Sequence, residues 1–410
     1  MNGSSSRCGN REGEMALRVG NERDANTRFT SPPGASACTR WSGTCTQRRS
    51  MYSVQDEFGN KAPIHVSVVI PTYNRCDFLI RTLDSLVSQI APGLRYEVLV
   101  VDNNSSDDTR GVVHAIGRRH PHLRYLFEPR QGVSHARNTG IAASRAPLIA
   151  FIDDDVEASA TWVAAIKQAF DLHPEIDCLG GPIQPRWTAP PPAWLTPMFW
   201  PAVSLQGDKG DSPYIDANRA TPCLMTANFA CRRAALEQVG GFSTAYLRDE
   251  DREIQLRLWR AGKRGLYSRH VIVTTEVPRD RLTKTHHRRF YARVGQSHAR
   301  MRYLESIDAA GRLLRVPPKR TTVQGTPAFI YRYLFGHTMR LLGNAAVLRW
   351  NRAFFHEIRV HYYVGYIQAR HHDEGHALRA VPREVTRLLV RLVRRPFRRY
   401  ITRLFRRQAA

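Results

Sequence analysis

Ile149-Ala150-Phe151-Ile152-Asp153-Asp154-Asp155-Val156 is an apolar run that ends in three consecutive carboxylates. The run reads as a buried strand. Adjacent acids repel, and burying any of them costs free energy unless positive charge is near. A strand that carries three of them to its carboxyl end calls for a cation. Oxygen-only ligands suit a hard ion such as Mg²⁺ or Mn²⁺, usually shared with phosphate oxygens. The plainer alternative is an acidic loop facing water, and the surrounding pattern decides between the two.

That pattern alternates. Val66-Ser67-Val68-Val69-Ile70 is a strand ended by Pro71, and a helix from about Asp77 carries Leu79, Leu83, Leu86, Val87 and Ile90 on one face. Tyr96–Val101 is a second strand, followed by Asp102-Asn103-Asn104-Ser105-Ser106-Asp107, where Ser106 or Asp107 can cap the next helix. Leu123–Phe127 is a third strand, Val133–Ser144 a helix, Leu148–Ile152 a fourth strand and Thr161–Leu172 a helix, with a further strand near Ile176–Leu179. Such alternation specifies an α/β fold with a doubly wound, mostly parallel sheet. Ligands bind beyond the carboxyl ends of its strands. Pro71–Arg75, Asp102–Asp107 and Asp153–Asp155 all fall there. Residues 182–222, with nine prolines and three tryptophans, interrupt the alternation and read as a long functional or mobile loop. Helices over Arg232–Val239 and Asp249–Ala261 follow, and the chain beyond 280 reads as helical and basic.

The 410 residues carry 61 Lys+Arg against 36 Asp+Glu, a net charge of +25. Residues 281–410 hold 28 of the cations and 6 of the acids, so the body is near neutral and the excess is an appendage. That imbalance points to an anionic partner surface. The seven cysteines form no C-x-x-C pair and no disulfide framework, which fits a reducing cytosol. There is no secretory signal pattern and no run of 18 apolar residues. Residues 1–60, rich in Ser, Gly, Asn, Arg and Thr, read as a disordered tail, and Met51 is an alternative start.

Taken in order, Val68-Val69-Ile70-Pro71-Thr72-Tyr73-Asn74-Arg75, Val100-Val101-Asp102-Asn103-Asn104-Ser105-Ser106-Asp107, Ala136-Arg137-Asn138-Thr139-Gly140, Phe151-Ile152-Asp153-Asp154-Asp155 and Glu250-Asp251 with Arg257, Ala261 and Gly262 resemble glycosyltransferase family 2. The resemblance covers residues 65–275, about half the chain, and implies the GT-A fold and inverting transfer from a nucleotide-diphosphate sugar. It divides the chain into the 1–60 tail, a 61–280 catalytic domain and a 281–410 basic helical region. By resemblance Asp102 accepts hydrogen bonds from the donor base, the plainer reading being a turn acid. Pro71, Thr72, Tyr73 and Asn74 line the nucleotide cleft, and Arg137 lies near the donor or is an ordinary ion-paired arginine. Asp153 and Asp154 face the nucleotide and Asp155 binds Mn²⁺ or Mg²⁺; three adjacent acids leave that register open. Asp251 is the base that takes the acceptor proton, with Glu250 beside it and Asp249 as the alternative register. The free N–H groups of a helix start would stabilise these acids.

The Q-x-x-R-W of processive synthases is missing: Arg349-Trp350 occurs with Ala346 upstream and lies too far along the chain. Single-sugar transfer is therefore expected. His286-His287-Arg288-Arg289 reads as a solvated basic helix face or, alternatively, as a group that approaches the donor phosphates. A nucleotidyltransferase would need a Gly-rich loop after the first strand, where Pro71–Arg75 stands instead. A basic nucleic-acid binder is the other rival, but no reader motif occurs and no nucleic-acid partner is expected. Val385, Leu388, Leu389, Leu392 and Val393, then Phe397, Tyr400, Ile401, Leu404 and Phe405, form an apolar stripe bordered by arginines. That is the profile of a helix lying on an anionic membrane surface. The helical stretch Tyr331–Arg370 could dock it or join the membrane. The expected location is the cytoplasmic face of the membrane, with a saccharide or lipid-linked acceptor.

Overall fold

The computed structural model describes residues 63–208, 210–215, 223–246, 248–307, 314 and 321–373. The expected tail at 1–60 and the arginine-bordered stripe at 385–405 lie outside the described residues.

The first half alternates as the pattern requires: β1 (Val66–Thr72), α1 (Cys76–Val87), β2 (Tyr96–Asp102), α2 (Thr109–Gly117), β3 (Leu123–Phe127), α3 (Val133–Ala143) and β4 (Leu148–Phe151). β1 pairs in parallel with β2 on one side and β4 on the other, Val66 lying opposite both Tyr96 and Leu148. Every residue of β1 is buried, as a strand covered on both faces must be. α1 ends at Val87, one turn before Ile90, which is exposed and not part of the buried face.

The second half is less regular. It comprises β5 (Val156–Ala158), α4 (Trp162–Leu172), β6 (Cys178–Gly180), β7 (Ile183–Trp187), β8 (Ser212–Ile215), β9 (Phe229–Arg232), α5 (Arg233–Gln238), α6 (Glu250–Arg260), β10 (Gly265–Tyr267) and β11 (Val273–Val277). The main sheet runs β3-β2-β1-β4-β9-β6-β10-β8, with β9 and β8 antiparallel to their neighbours. A smaller sheet, β5-β11-β7, closes over its end. The expected long loop at 182–222 thus holds two strands and a 3₁₀ turn at Pro197–Val203. Strands of three to five residues, interrupted by proline, leave too short a period to read from sequence.

Strand alternation splits the core into two. Val68, Ile70, Val98 and Val100 face α1 and α4, beside Leu79, Leu83, Trp162 and Ile166. Val69, Leu99, Val101 and Phe151 face the opposite way, into a cluster with Ala136, Phe242, Leu256 and Trp259. That second cluster continues into α7 (Lys284–Arg300), α8 (Ala328–Ala346) and α9 (Trp350–Asp373), through Ala299, Ile330, Tyr362 and Tyr366. A short hairpin, β12 (Thr322–Val323) and β13 (Thr326–Pro327), precedes α8. The described part of the basic region therefore shares a core with the α6 layer. Among the described residues no helix is long and apolar enough to cross a membrane.

α7 and α9 cross at glycines. A Cβ on Gly295 would strike the Tyr362 carbonyl, and one on Gly365 the Ala292 carbonyl. Gly336 on α8 has open space around it. Gly295→Ala is expected to destabilise the fold by ~1–3 kcal/mol through overpacking. Gly336→Ala should be neutral or stabilising by up to ~1 kcal/mol from helix propensity. Urea denaturation of the two variants against the parent measures both, and equal midpoints would show that the crossing tolerates a side chain.

Candidate active site

The carboxyl ends of β1 and β4 open into a cleft of about 470 Å³, lined by Pro71, Thr72, Tyr73, Asn103, Asp153–Asp155, Arg137 and Glu250 among others. Positive charge meets the three adjacent acids from two sides. Arg75, just past β1, reaches Asp155 at 2.8 Å and Asp154 at 3.2 Å. Thr72 donates to Asp154 at 2.8 Å, and Thr82 of α1 donates to the Asp154 carbonyl. Burial pushes the Asp154 carboxyl up to about 7 despite the opposing pull of Arg75 and Thr72. Asp154 is thus a buried strut between β1 and β4, while Asp153 and Asp155 stay open to the cleft.

Arg137 enters from α3 and is buried. It holds Glu250 at 2.6 Å and Asp153 at 3.1 Å, and its guanidinium lies over the Phe242 ring. The chain thereby ties the end of β4 to the start of α6 through one side chain.

α6 begins after Asp249, which takes a left-handed backbone conformation at φ 56°. Glu250 faces the cleft, whereas Asp251 is not among its lining residues. Asp251 lies towards Cys223: the Gln255 amide donates to the Asp251 carbonyl, the Leu224 carbonyl and the Cys223 sulfur. Burial, then Glu250 and Asp249, push the Asp251 carboxyl up to about 7. Asp249, also buried, is raised to about 6.

Asp102 ends β2 but points inward. Its two oxygens accept from the Ser105 N–H at 2.9 Å and the Tyr125 hydroxyl at 2.7 Å, and burial with that bond pushes Tyr125 up to about 12. Its neighbour Asn103 lines the cleft instead, accepting from the Gly132 N–H and donating to the Glu128 and Arg130 carbonyls. Asn74, at φ 52°, accepts from the Ser106 N–H, and its own N–H donates to the Ser105 hydroxyl, so the loops after β1 and β2 are sewn together. Asp107 accepts from the Cys76 N–H at the start of α1 and from Thr109 at the start of α2, serving both helices.

Sequence reasoning missed several groups in and around the cleft. Glu128 is held down to about 2 by its hydrogen bonds from Arg130, and also accepts from Thr139; it shapes the turn into α3. Gly132 at φ 133° was a legible signal for that turn. Thr275, whose hydroxyl donates to the Asp155 carbonyl, and Arg281 also line the cleft, and nothing distinguished Arg281 within its basic run.

His286-His287-Arg288-Arg289 serves neither of the uses expected of it. His287 is fully buried, its ring nitrogens against the Thr283 and Phe199 carbonyls, and His286 meets the Ala202 carbonyl at 2.7 Å. Arg288 pairs with Glu357. The proline-bearing 3₁₀ turn leaves carbonyls without helical partners, and these imidazoles meet them. Arg349 and Trp350 lie on an exposed turn and do not line the cleft. Cys76, Cys178, Cys223 and Cys231 are free thiols.

Residues 67–240 match the model of glycosyl transferase family 2. The chain carries a family 2 glycosyltransferase domain. Glycosyltransferase AglE of Haloferax volcanii is 39% identical over 99 residues, 24% of this chain and 33% of the relative. The glucosyl-dolichyl phosphate glucuronosyltransferase of the same organism is 26% identical over 218 residues, 51% of this chain and 68% of the relative. The validoxylamine A glucosyltransferase of Streptomyces hygroscopicus subsp. jinggangensis is 42% identical over 106 residues, a quarter of each chain. The match thus spans a third or less of two of these relatives. Among solved structures, the mannosyltransferase PcManGT from Pyrobaculum calidifontis, in complex with GDP-Man and Mn²⁺, aligns with a TM-score of 0.51 at 19% identity, covering 76% of this chain and 88% of that one. The glycosyltransferase domain therefore has the GT-A fold.

Arg137→Ala leaves Asp153 and Glu250 without their shared cation. Breaking a buried pair costs ~3–5 kcal/mol, and the water access of Asp153 sets the expectation near the lower end. Chemical denaturation of the Arg137→Ala glycosyltransferase checks this, with Arg137→Lys expected to recover part of the loss.

Proposed function

We propose that this glycosyltransferase moves a single sugar from a nucleotide-diphosphate donor to an acceptor hydroxyl with inversion at the anomeric carbon. The observation that carries the reading is the cleft at the ends of β1 and β4, walled by Pro71, Thr72 and Tyr73 and floored by acids. The donor's nucleoside rests against Pro71–Asn74 and the Asp102–Asn103 corner. Asp102 positions that corner through Ser105 and Tyr125. Arg281 also lines the cleft, where a guanidinium can meet the diphosphate.

A divalent cation fits the donor set. The carboxylates of Asp153 and Asp155, which line the cleft, offer hard oxygens. Among the described residues no three His, Cys, Asp or Glu side chains converge on one point. An ion held by Asp155, with Asp153 beside it, must therefore complete its shell from the diphosphate and water. When bound, it neutralises the departing diphosphate. Arg75 holds Asp155 oriented toward the cleft.

Asp251 takes the proton. The acceptor oxygen bonds to the anomeric carbon, the bond from that carbon to the diphosphate oxygen breaks, and the acceptor proton passes to the Asp251 carboxylate. A carboxyl raised to about 7 is matched to that task, being basic yet half ionised at neutral pH. Glu250 is tied to Arg137 and fixes the start of α6. The acceptor approaches from the Cys223 side. An acceptor linked to a lipid, with the enzyme resting on the cytoplasmic membrane face during envelope polysaccharide or glycolipid assembly, suits the basic C-terminal third; one relative is named a glucosyl-dolichyl phosphate glucuronosyltransferase.

Purified full-length protein, screened against nucleotide sugars with Mn²⁺ or Mg²⁺, should release nucleoside diphosphate. Asp155→Asn and EDTA should each abolish that release while leaving the denaturation midpoint in place; full turnover in EDTA would remove the cation. Asp251→Asn should lower kcat by ~10²–10⁴-fold with donor Kd nearly unchanged. The active form of the base is the ionised one. In the parent, kcat/KM should thus rise about tenfold per pH unit below 7 and level off above it. A limb that survives in Asp251→Asn belongs to another raised acid, Asp154 or Asp249.

A further inference from the structure

We infer that the turn joining α8 to α9 is a membrane-seating tip that takes an anionic lipid surface. This element is separate from the arginine-bordered stripe beyond residue 380, and the inference does not depend on the sugar-transfer reading. Large apolar side chains stand in water here: Phe335 is 67% exposed, Val347 61%, Leu348 51%, Met339 50% and Trp350 42%. Phe335 and Met339 are one helical turn apart on a face of α8 opposed to its buried Ile330 and Leu341. They lead directly into the turn. Contiguous exposed apolar surface of this kind marks an interaction site.

The backbone of the turn points the same way. α8 ends with Leu348 in the left-handed conformation, φ 60°, its N–H donating to the Ala345 carbonyl while the Arg349 N–H donates to the Asn344 carbonyl. That position is one where glycine or asparagine is favoured. A leucine pays twice in water, in backbone strain and in exposed hydrocarbon. Lipid contact removes the second cost.

Charge selects the occupant. Residues 328–352 contain four arginines, Arg332, Arg340, Arg349 and Arg352, and no aspartate or glutamate. A second copy of the same face would bring like charges together. A nucleic-acid backbone would match the positive charge and leave Phe335, Val347 and Leu348 uncovered. An anionic bilayer matches the charge and covers the hydrocarbon, with Trp350 at the boundary.

The tip is rigidly linked to the cleft. One turn into α9, Phe354 packs against Trp194 and Phe199, ring centroids 5.2 Å apart in each case. The 3₁₀ turn that holds Phe199 ends at Ser204, which lines the cleft. Seating the tip therefore fixes the cleft wall with respect to the membrane surface.

Flotation of the full chain with vesicles of phosphatidylglycerol and phosphatidylcholine, and with phosphatidylcholine alone, tests this at about 0.1 M salt. The parent should float with the anionic vesicles. Leu348→Asp/Trp350→Asp should bind them about tenfold more weakly or worse. Leu348→Gly should also bind more weakly, while its denaturation midpoint rises because glycine suits the backbone; that separates loss of binding from loss of fold. Unchanged flotation of the double variant would overturn the inference. So would light scattering that shows a parent dimer split by the double variant with vesicle binding intact.

Discussion

Carboxylates crowded at the end of β4 must be neutralised, and much of the surrounding architecture answers that demand. Arg137 is the decisive partner because it is buried and shared. It joins an acid from the sheet to an acid from α6, two elements about a hundred residues apart in sequence. Without it the start of α6 would have no electrostatic reason to sit over the strand ends. Arg75 and Thr72 do the same from the β1 side, which makes Asp154 part of the scaffold and leaves its neighbours available. Acids and guanidinium groups thus meet at the mouth of a largely parallel sheet, Asp153 and Asp155 among the groups that line the cleft.

The second constraint is coverage. A sheet buried on both faces needs helices on both. α1 and α4 cover one face; α3 and α6 cover only part of the other. α7, α8 and α9 complete it through Tyr362 and Tyr366, so the described part of what looks in sequence like a basic appendage shares the core of the family 2 domain. Even two of its arginines, Arg359 and Arg370 of α9, are buried, Arg359 against the rings of Tyr362 and Tyr363.

The first half of the fold was readable because its strands are long, apolar and bounded by helices with a clear period. β1, β2, β4, α3 and α6 stand within a residue or two of where the pattern puts them, and α1 ends three residues early. The second half was readable only in part: α4, β6 and α5 fall close to the pattern, whereas β5 and β10 are three residues each and owe their existence to neighbours in the sheet. The acids of the site were legible as residue types at strand ends. Their division of labour was not: Asp102 turns inward to Tyr125, Glu250 rather than Asp251 meets the cleft, and His287 supports a wall. Such orientations depend on partners far away in sequence, as His287 depends on the Phe199 carbonyl.

The stitched loops at Asn74 and Asn104 carry a further consequence. Both residues adopt positive φ, 52° and 64°, and the Asn74 side chain is bonded across to the Ser106 N–H. Asparagine tolerates that conformation where most residues do not. The loop disorder that would otherwise be lost when a ligand arrives is lost when the chain folds. A ligand entering between these loops therefore meets a surface already in its final shape, and its contact energy goes into affinity instead of ordering the floor beneath it.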